Sequence, residues 1–324
     1  KITKKVLIMK KHNTRNMICF GLGTVGRDAF YALESNTLIF FLSNVLNLPI
    51  EIFATVSLVY TILRIIDALL DPFLGLVIDN INSPRWRFKI PLILGAIVSS
   101  IGILVLFTDT GINSWLYVVI FIIAYTVFDV GYGLNDVAYY SMLPNLSLSQ
   151  TRRDQISAFT RICASVGSFS IVVAWEPITS AFNNSPKIWF LLALGVAIFM
   201  LAFLLFPLLG VRENLEFNKR EEKTNLREMW KAIYKNDQMI WLATSVIIFY
   251  VAYLSIAGAA IYYMKYIFGN EDLYPILAII VGAAQLLAFL LYNPISKKFE
   301  RSKIFLAATI MAVAGCILLF FAES

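Results

Sequence analysis

Three ionisable side chains recur at helical spacing inside the apolar segment "LRIIDALLDPFLG". Arg64, Asp67 and Asp71 stand at positions that share one face of a helix. Two carboxylates one turn apart repel each other, so in a low dielectric both stay ionised only beside a positive charge, which Arg64, a bound cation or a proton would supply. Pro72 leaves the carbonyl of Ala68 without its helical donor, and hard oxygen ligands of this kind suit Na⁺ or H⁺. The pattern predicts a cation site; a structural ion-pair network is the alternative.

A second helix face carries acidic and aromatic side chains, in the segment "AYTVFDVGYGLNDVAYYSMLPNL". Asp129, Tyr132, Asp136 and Tyr140 recur at steps of three or four residues and therefore share one face. Carboxylates accept hydrogen bonds from hydroxyl groups and rings cover apolar C–H faces, which is a combination that polyhydroxylated ligands favour. The alternative is that the tyrosines pack between helices and only one aspartate is functional.

Further charged side chains fall inside apolar segments. An ionisable group near the centre of a bilayer costs at least about 2.5 to 3.5 kcal/mol, so its default interpretation is functional. Arg161 lies among small residues in "FTRICASVG", where a guanidinium can hold a carboxylate or a ligand hydroxyl through two hydrogen bonds. Arg27 and Asp28 form an adjacent pair, whereas Glu34 and Glu176 remain without an assigned role.

These residues must be positioned by membrane helices. The chain has 324 residues, of which 59% are hydrophobic and only 15% charged, and its mean hydropathy is +0.74. Apolar stretches of about 20 residues, long enough to cross a bilayer, recur along the whole sequence. The predicted spans are 17–45, 50–78, 90–107, 115–143, 156–182, 188–209, 239–264, 273–292 and 304–322. We expect an all-α integral membrane protein.

The distribution of basic residues predicts topology and domains. Lys and Arg are concentrated in alternate connections between the spans, while the opposite connections carry only Lys187 and Lys265. This asymmetry predicts that the N-terminus is cytoplasmic, and we expect the protein to lie in the plasma membrane. The net charge of +6 is thereby explained without a nucleic-acid partner. The predicted domains are a cytoplasmic N-terminal segment (1–16), an N-terminal six-helix half (17–210), a cytoplasmic middle loop (211–237) and a partial C-terminal half of three helices (238–324).

Several function classes are excluded. The motif Gly21-x-Gly23-x-x-Gly26 matches a dinucleotide fingerprint, but no predicted strand precedes it and no turn signals of a βαβ unit follow it. We therefore interpret these glycines as sites of close helix packing. His12 is the only histidine, and the three cysteines have no metal spacing. We therefore expect no enzyme activity and no cofactor.

Four stretches together resemble a known family. They are "GLGTVGRD", "RIIDALLDPFLG" with the following "RWRFKIPLIL", "NDVAYYSMLPNL" and "FTRICASVG". The chain resembles the glycoside-pentoside-hexuronide:cation symporters of the major facilitator superfamily, the group that includes melibiose permease. The resemblance implies a helical bundle of twelve helices, of which about nine are present here, so we expect the 324 residues to be a fragment of a longer chain.

The resemblance also implies roles for individual residues. Asp67 and Asp71 would bind the coupling cation, with Arg64 beside them. The predicted substrate residues are Asp28, Arg27, Asp136, Tyr140, Arg161 and Asp129. This chain has Tyr140 where the melibiose permease pattern has Trp, and Gly133 where that family member has Thr. The missing hydroxyl weakens the case for Na⁺ relative to H⁺.

The predicted function is cation-coupled symport of a sugar or glycoside by alternating access, with Na⁺ or H⁺ as the coupling ion. We expect a monomer in the lipid bilayer. Two alternatives remain open: a sugar sensor or facilitator without coupling, and an amphiphile carrier on the same scaffold.

Overall fold

The computed structural model describes residues 2–83, 86–147, 149–212, 231, 234–267, 269, 274–296 and 298–321. Within these ranges the chain forms nine long α-helices and no strand. The helices are α1 (Ile2–Phe40), α2 (Ile50–Asp79), α3 (Lys89–Leu106), α4 (Trp115–Met142), α5 (Gln150–Ser180), α6 (Pro186–Leu205), α7 (Asp237–Tyr266), α8 (Tyr274–Ser296) and α9 (Arg301–Phe321). The predicted all-α class is confirmed.

Short irregular turns extend three of these helices. A π-helical turn continues α1 over Phe41–Val45, another continues α6 over Phe206–Gly210, and a 3-10 turn continues α4 over Leu143–Leu146. Six helical segments among the described residues are long and apolar enough to span a membrane: Ile50–Asp79, Lys89–Leu106, Trp115–Leu146, Gln150–Ser180, Pro186–Gly210 and Ile279–Ser296. α1 is longer than any of them, but its middle carries three charged side chains.

Helix boundaries follow local sequence signals. Pro49 immediately precedes α2 and Pro186 opens α6, where the missing N–H of proline is tolerated. Between α5 and α6 the chain turns through Asn183 and Asn184, whose φ values of 53° and 51° lie in the left-handed region that asparagine tolerates. The predicted segment 1–16 is helical from Ile2 onward, and most of the predicted middle loop 211–237 lies outside the described residues.

The chain divides into two compact units, residues 1–224 and 225–324. In the first unit, α1 packs against α5 and α6, while α4 packs against α2 and α3. The two sets of contacts are equivalent when α1 is matched with α4, α2 with α5 and α3 with α6. The pair α1 and α5 then corresponds to α4 and α2, and the pair α1 and α6 corresponds to α4 and α3. This symmetry of pairing is expected for the two three-helix repeats in each half of a major facilitator protein.

Close packing of α1 explains the three glycines that imitate a nucleotide fingerprint. A Cβ atom on Gly26 would lie 2.8 Å from Cβ of Phe203 and 2.9 Å from Cα of Met200. These distances are too short for a non-bonded contact, so a larger residue does not fit here without a shift of α1 or α6. A Cβ on Gly23 would lie 2.7 Å from the hydroxyl of Tyr139. The glycines lie within a continuous helix and let α1 approach α4 and α6 closely, which places the charged residues of α1 beside those of α4.

Candidate functional site

A polar cavity of about 460 Å³ lies in the first unit. Its lining residues come from α1, α2, α4 and α5: Asp28, Tyr31, Arg64, Asp67, Asp71, Asp129, Tyr132, Gly133, Asp136, Tyr140 and Arg161. All of them except Gly133 carry a polar or charged side chain. The structure thus brings together eight of the nine residues that the sequence predicts for the site, and only Arg27 is absent from the lining.

The predicted cation residues Asp67 and Asp71 face α4 at Gly133. A Cβ atom on this glycine would lie 3.6 Å from Oδ1 of Asp67 and 3.7 Å from Oδ1 of Asp71, so the two carboxylates converge on a position of α4 that has no side chain. Asp67 is half-buried and Asp71 exposed. Within the described part of the chain, neither carboxylate, nor that of Asp129, forms an ion pair.

Arg64 does not pair with the aspartates of its own helix. Its guanidinium reaches α1 and contacts Glu34, with Nη2 lying 2.8 Å and 3.1 Å from the two carboxylate oxygens. The same group donates to the hydroxyls of Tyr31, at 2.7 Å, and Tyr60, at 2.6 Å. Arg64 still lines the cavity, but its charge is matched by a carboxylate outside the lining set.

Arg27 is fully buried and connects three helices. Its guanidinium donates to Asp136 through Nη2 and to Oδ1 of Asn135 through Nε, the latter at 2.6 Å. The Asn135 amide in turn donates to the carbonyl of Leu92 on α3 at 2.6 Å. The guanidinium also lies 4.2 Å from the ring centroid of Tyr139, within range of a cation–π contact. Arg27 therefore reaches the cavity through Asp136, whose side chain is 41% exposed.

Aromatic rings lie beside these charges. Tyr31 stacks on Tyr132 with ring centroids 5.1 Å apart, and the Arg161 guanidinium lies 5.9 Å from the ring centroid of Tyr140. All four of these side chains line the cavity together with Asp28. Carboxylates, guanidinium groups and ring faces in one small space can bind hydroxyl groups and apolar C–H faces at once.

Negative charge exceeds positive charge at the site. Five aspartates line the cavity and Glu34 contacts it through Arg64, whereas the positive groups are Arg64, Arg161 and the buried Arg27. With all groups ionised, carboxylates outnumber guanidinium groups by two to one. A cavity with this balance attracts cations. No cluster of three or more Asp, Glu, His or Cys side chains suited to a metal ion is found among the described residues, so the binding of Na⁺ by Asp67 and Asp71 stays a prediction.

Four neighbouring residues were absent from the predicted site. Glu34, Tyr31 and Tyr60 hold Arg64, and Asn135 holds Arg27. Glu34 carries the signal of a carboxylate within an apolar span, but the sequence does not show that its partner is Arg64. Asn135 gives no comparable signal, because its partners, Arg27 and the carbonyl of Leu92, come from two other helices.

Comparisons with known proteins agree with this architecture. A family model described as "MFS/sugar transport protein" matches residues 19–324. The chain is 30% identical to the raffinose carrier protein of Pediococcus pentosaceus, over 98% of this chain and 53% of that protein. It is 31% identical to the lactose permease of Lactobacillus delbrueckii subsp. bulgaricus, over 92% and 50% respectively. It is 23% identical to a putative sulfoquinovose importer of Escherichia coli, over 96% and 67%. The chain spans about half the length of the first two relatives.

Proposed function

This chain belongs to the family of MFS/sugar transport proteins, of the glycoside-pentoside-hexuronide type, and from that premise we propose that it serves cation-coupled sugar symport by alternating access. The relatives are carriers, permeases and importers rather than enzymes. The proposal includes a monomeric protein in the plasma membrane with its N-terminus in the cytoplasm, as the distribution of Lys and Arg favours.

One observation carries the proposal: the carboxylate pair and the acidic, aromatic face share a single cavity. Asp67 and Asp71 converge on α4 at Gly133, and Asp136 follows one turn later on the same helix. Three helical residues rise by about 4.5 Å, so a cation at the first position and a sugar at the second would be close neighbours.

This proximity supplies a mechanism for coupling. A cation between Asp67 and Asp71 would cancel their mutual repulsion and hold α2 against α4, on which Asp136 and Tyr140 stand. Sugar affinity would then rise with cation occupancy, and linkage requires the sugar to tighten cation binding by the same factor. The coupling ion is Na⁺ or H⁺, because both suit carboxylate oxygens.

The substrate that best fits the cavity is a neutral sugar. Two relatives are named for raffinose and lactose, and the lining supplies hydroxyl acceptors and ring faces for such a molecule. An anionic sugar would meet the excess of carboxylates. An amphiphile carrier would need an apolar cavity, and every lining side chain here is polar or charged.

The test is uptake by the full-length protein reconstituted in liposomes. Raffinose, lactose and a panel of glycosides and pentosides would each be offered with an imposed Na⁺ gradient, an imposed proton gradient or neither, beside protein-free liposomes. Accumulation of a sugar above its external concentration, driven by one gradient and abolished by the matching ionophore, supports symport. Sugar binding without accumulation under either gradient contradicts coupling and supports the sensor or facilitator.

A further inference from the structure

The symport scheme leaves one buried acid without a role. Glu34 on α1 has 0% of its surface exposed, and in the described structure its ion-pair partner is Arg64 on α2. A carboxylate in such a place is costly unless it is paired and hydrogen-bonded, and a merely apolar residue would pack at this position without that cost. The acid therefore requires an explanation beyond packing.

The geometry shows what the pair does to Arg64. Asp67 stands three residues after Arg64, which is the spacing at which neighbouring side chains on a helix usually pair. Arg64 instead donates to Glu34 on α1 and to the Tyr31 hydroxyl, while Tyr60 accepts a third hydrogen bond from it. In the described structure the guanidinium thus pairs with Glu34 on another helix and forms no ion pair with the carboxylates of its own helix.

We propose that Glu34 is a positioning residue that holds Arg64 away from Asp67 and so leaves the carboxylates of Asp67, Asp71 and Asp129 free to bind the coupling cation. This inference rests on the proposed cation coupling. Arginine keeps its charge at all physiological pH values. An unrestrained Arg64 would therefore compete with the coupling cation for the carboxylate of Asp67.

The surroundings make this restraint persistent. Removing the guanidinium from Glu34 would leave an unpaired charge in a fully buried place, which is strongly unfavourable. Tyr31 is itself fixed by stacking on Tyr132 at 5.1 Å, and Tyr60 by an edge contact with Tyr125 at 5.1 Å. Two ring contacts and an ion pair therefore hold one guanidinium in place.

The experiment measures the cation concentration that gives half-maximal sugar uptake by the full-length protein in liposomes. Glu34→Gln keeps the shape of the side chain but removes the charge, so Arg64 becomes free to neutralise Asp67. We expect the half-maximal cation concentration to rise about tenfold or more, with sugar affinity at saturating cation unchanged. Glu176→Gln is the matched control, because Glu176 is an exposed glutamate in the membrane helix α5, and it should leave both values unchanged.

A double variant separates positioning from other roles. In Glu34→Gln/Arg64→Gln the competing charge is gone, so the cation affinity lost in Glu34→Gln should return. If Glu34 were a cation ligand or only a structural residue, the double variant would be no better than the single one, and the proposal would be overturned. An unchanged cation requirement in Glu34→Gln would overturn it as well.

Two further outcomes remain decisive. If Glu34→Gln does not reach the membrane, the double variant alone decides, since it leaves neither group unpaired: a loss of cation affinity below about tenfold supports the proposal, and a larger loss overturns it. If the wild-type protein accumulates sugar with no cation dependence, the symport proposal itself has failed. If uptake depends on the cation but the half-maximal cation concentration is the same in the wild type and in Glu34→Gln, only the role of Glu34 has failed.

Discussion

Gly133 on α4 faces Asp67 on α2 so closely that a Cβ atom on the glycine would lie 3.6 Å from Oδ1 of the aspartate. The same Cβ would lie 3.7 Å from Oδ1 of Asp71. A hydroxyl placed here would therefore stand beside both carboxylates of the proposed cation site. We propose that the absence of a side chain at this position influences which cation the site prefers.

Replacing this glycine by serine should favour Na⁺. Gly133→Ser adds a hydroxyl oxygen beside the carboxylate oxygens of Asp67 and Asp71, which gives Na⁺ a further hard ligand. We therefore expect the Na⁺ concentration for half-maximal uptake to fall by about fivefold or more. Leu74 must shift slightly, since its Cδ1 lies 3.0 Å from the new Cβ. The measurement is sugar uptake against Na⁺ concentration. Gly195→Ser, where no atom lies within 4 Å of the added carbon, is the control; equal Na⁺ responses in both variants would contradict the expectation.

The ring of Tyr140 should carry part of the sugar affinity. Tyr140→Ala removes the ring face in the cavity and is expected to weaken sugar binding by about fivefold, which corresponds to lost stacking contacts of roughly 1 kcal/mol. Tyr140→Phe keeps the ring and should retain most of the affinity. Binding is measured by titration with raffinose or lactose. Equal losses in the two variants would show that the hydroxyl, and not the ring face, matters.

Asn135 should support the site from outside the cavity. Asn135→Ala leaves Nε of Arg27 and the carbonyl of Leu92 without their partner, so we expect a loss of about 1–3 kcal/mol in stability and weaker sugar binding through a misplaced Asp136. Thermal unfolding in detergent and sugar titration measure the two effects. Asn36→Ala removes an exposed asparagine of α1 and should change neither; a stable Asn135 variant would contradict this account.

The helices were predictable because the signals for them, an apolar stretch of sufficient length and the residues that begin or end a helix, lie within the segment itself. The predicted span 115–143 coincides with α4, and 50–78 with α2, since apolar length and the proline before α2 are properties of the segment itself. The start of α1 was not predictable in this way. Residues 2–16 mix basic and polar residues with one short apolar run, yet they continue the helix, because no glycine or proline interrupts them before Gly21.

The composition of the cavity was predictable, but its pairing was not. Asp67, Asp71, Asp129 and Asp136 all carry the signal of a charge inside an apolar helix. Which charges pair depends on packing between helices that are distant in sequence. Arg64 and Glu34 are 30 residues apart, and Arg27 and Asp136 are 109 apart. Helical spacing alone placed Arg64 on one face with Asp67 and Asp71, whereas the folded chain pairs it with Glu34.

The most direct test of cation coupling compares two transport modes of the full-length protein carrying Asp71→Asn. Removing this carboxylate should abolish gradient-driven accumulation of the sugar, because the cation loses a ligand. Sugar exchange between the two sides at equal concentrations needs no gradient and should continue. Asp109→Asn, an exposed loop aspartate, is the matched control. We expect loss of accumulation with exchange retained; accumulation at the wild-type level in Asp71→Asn would show that this carboxylate does not serve coupling.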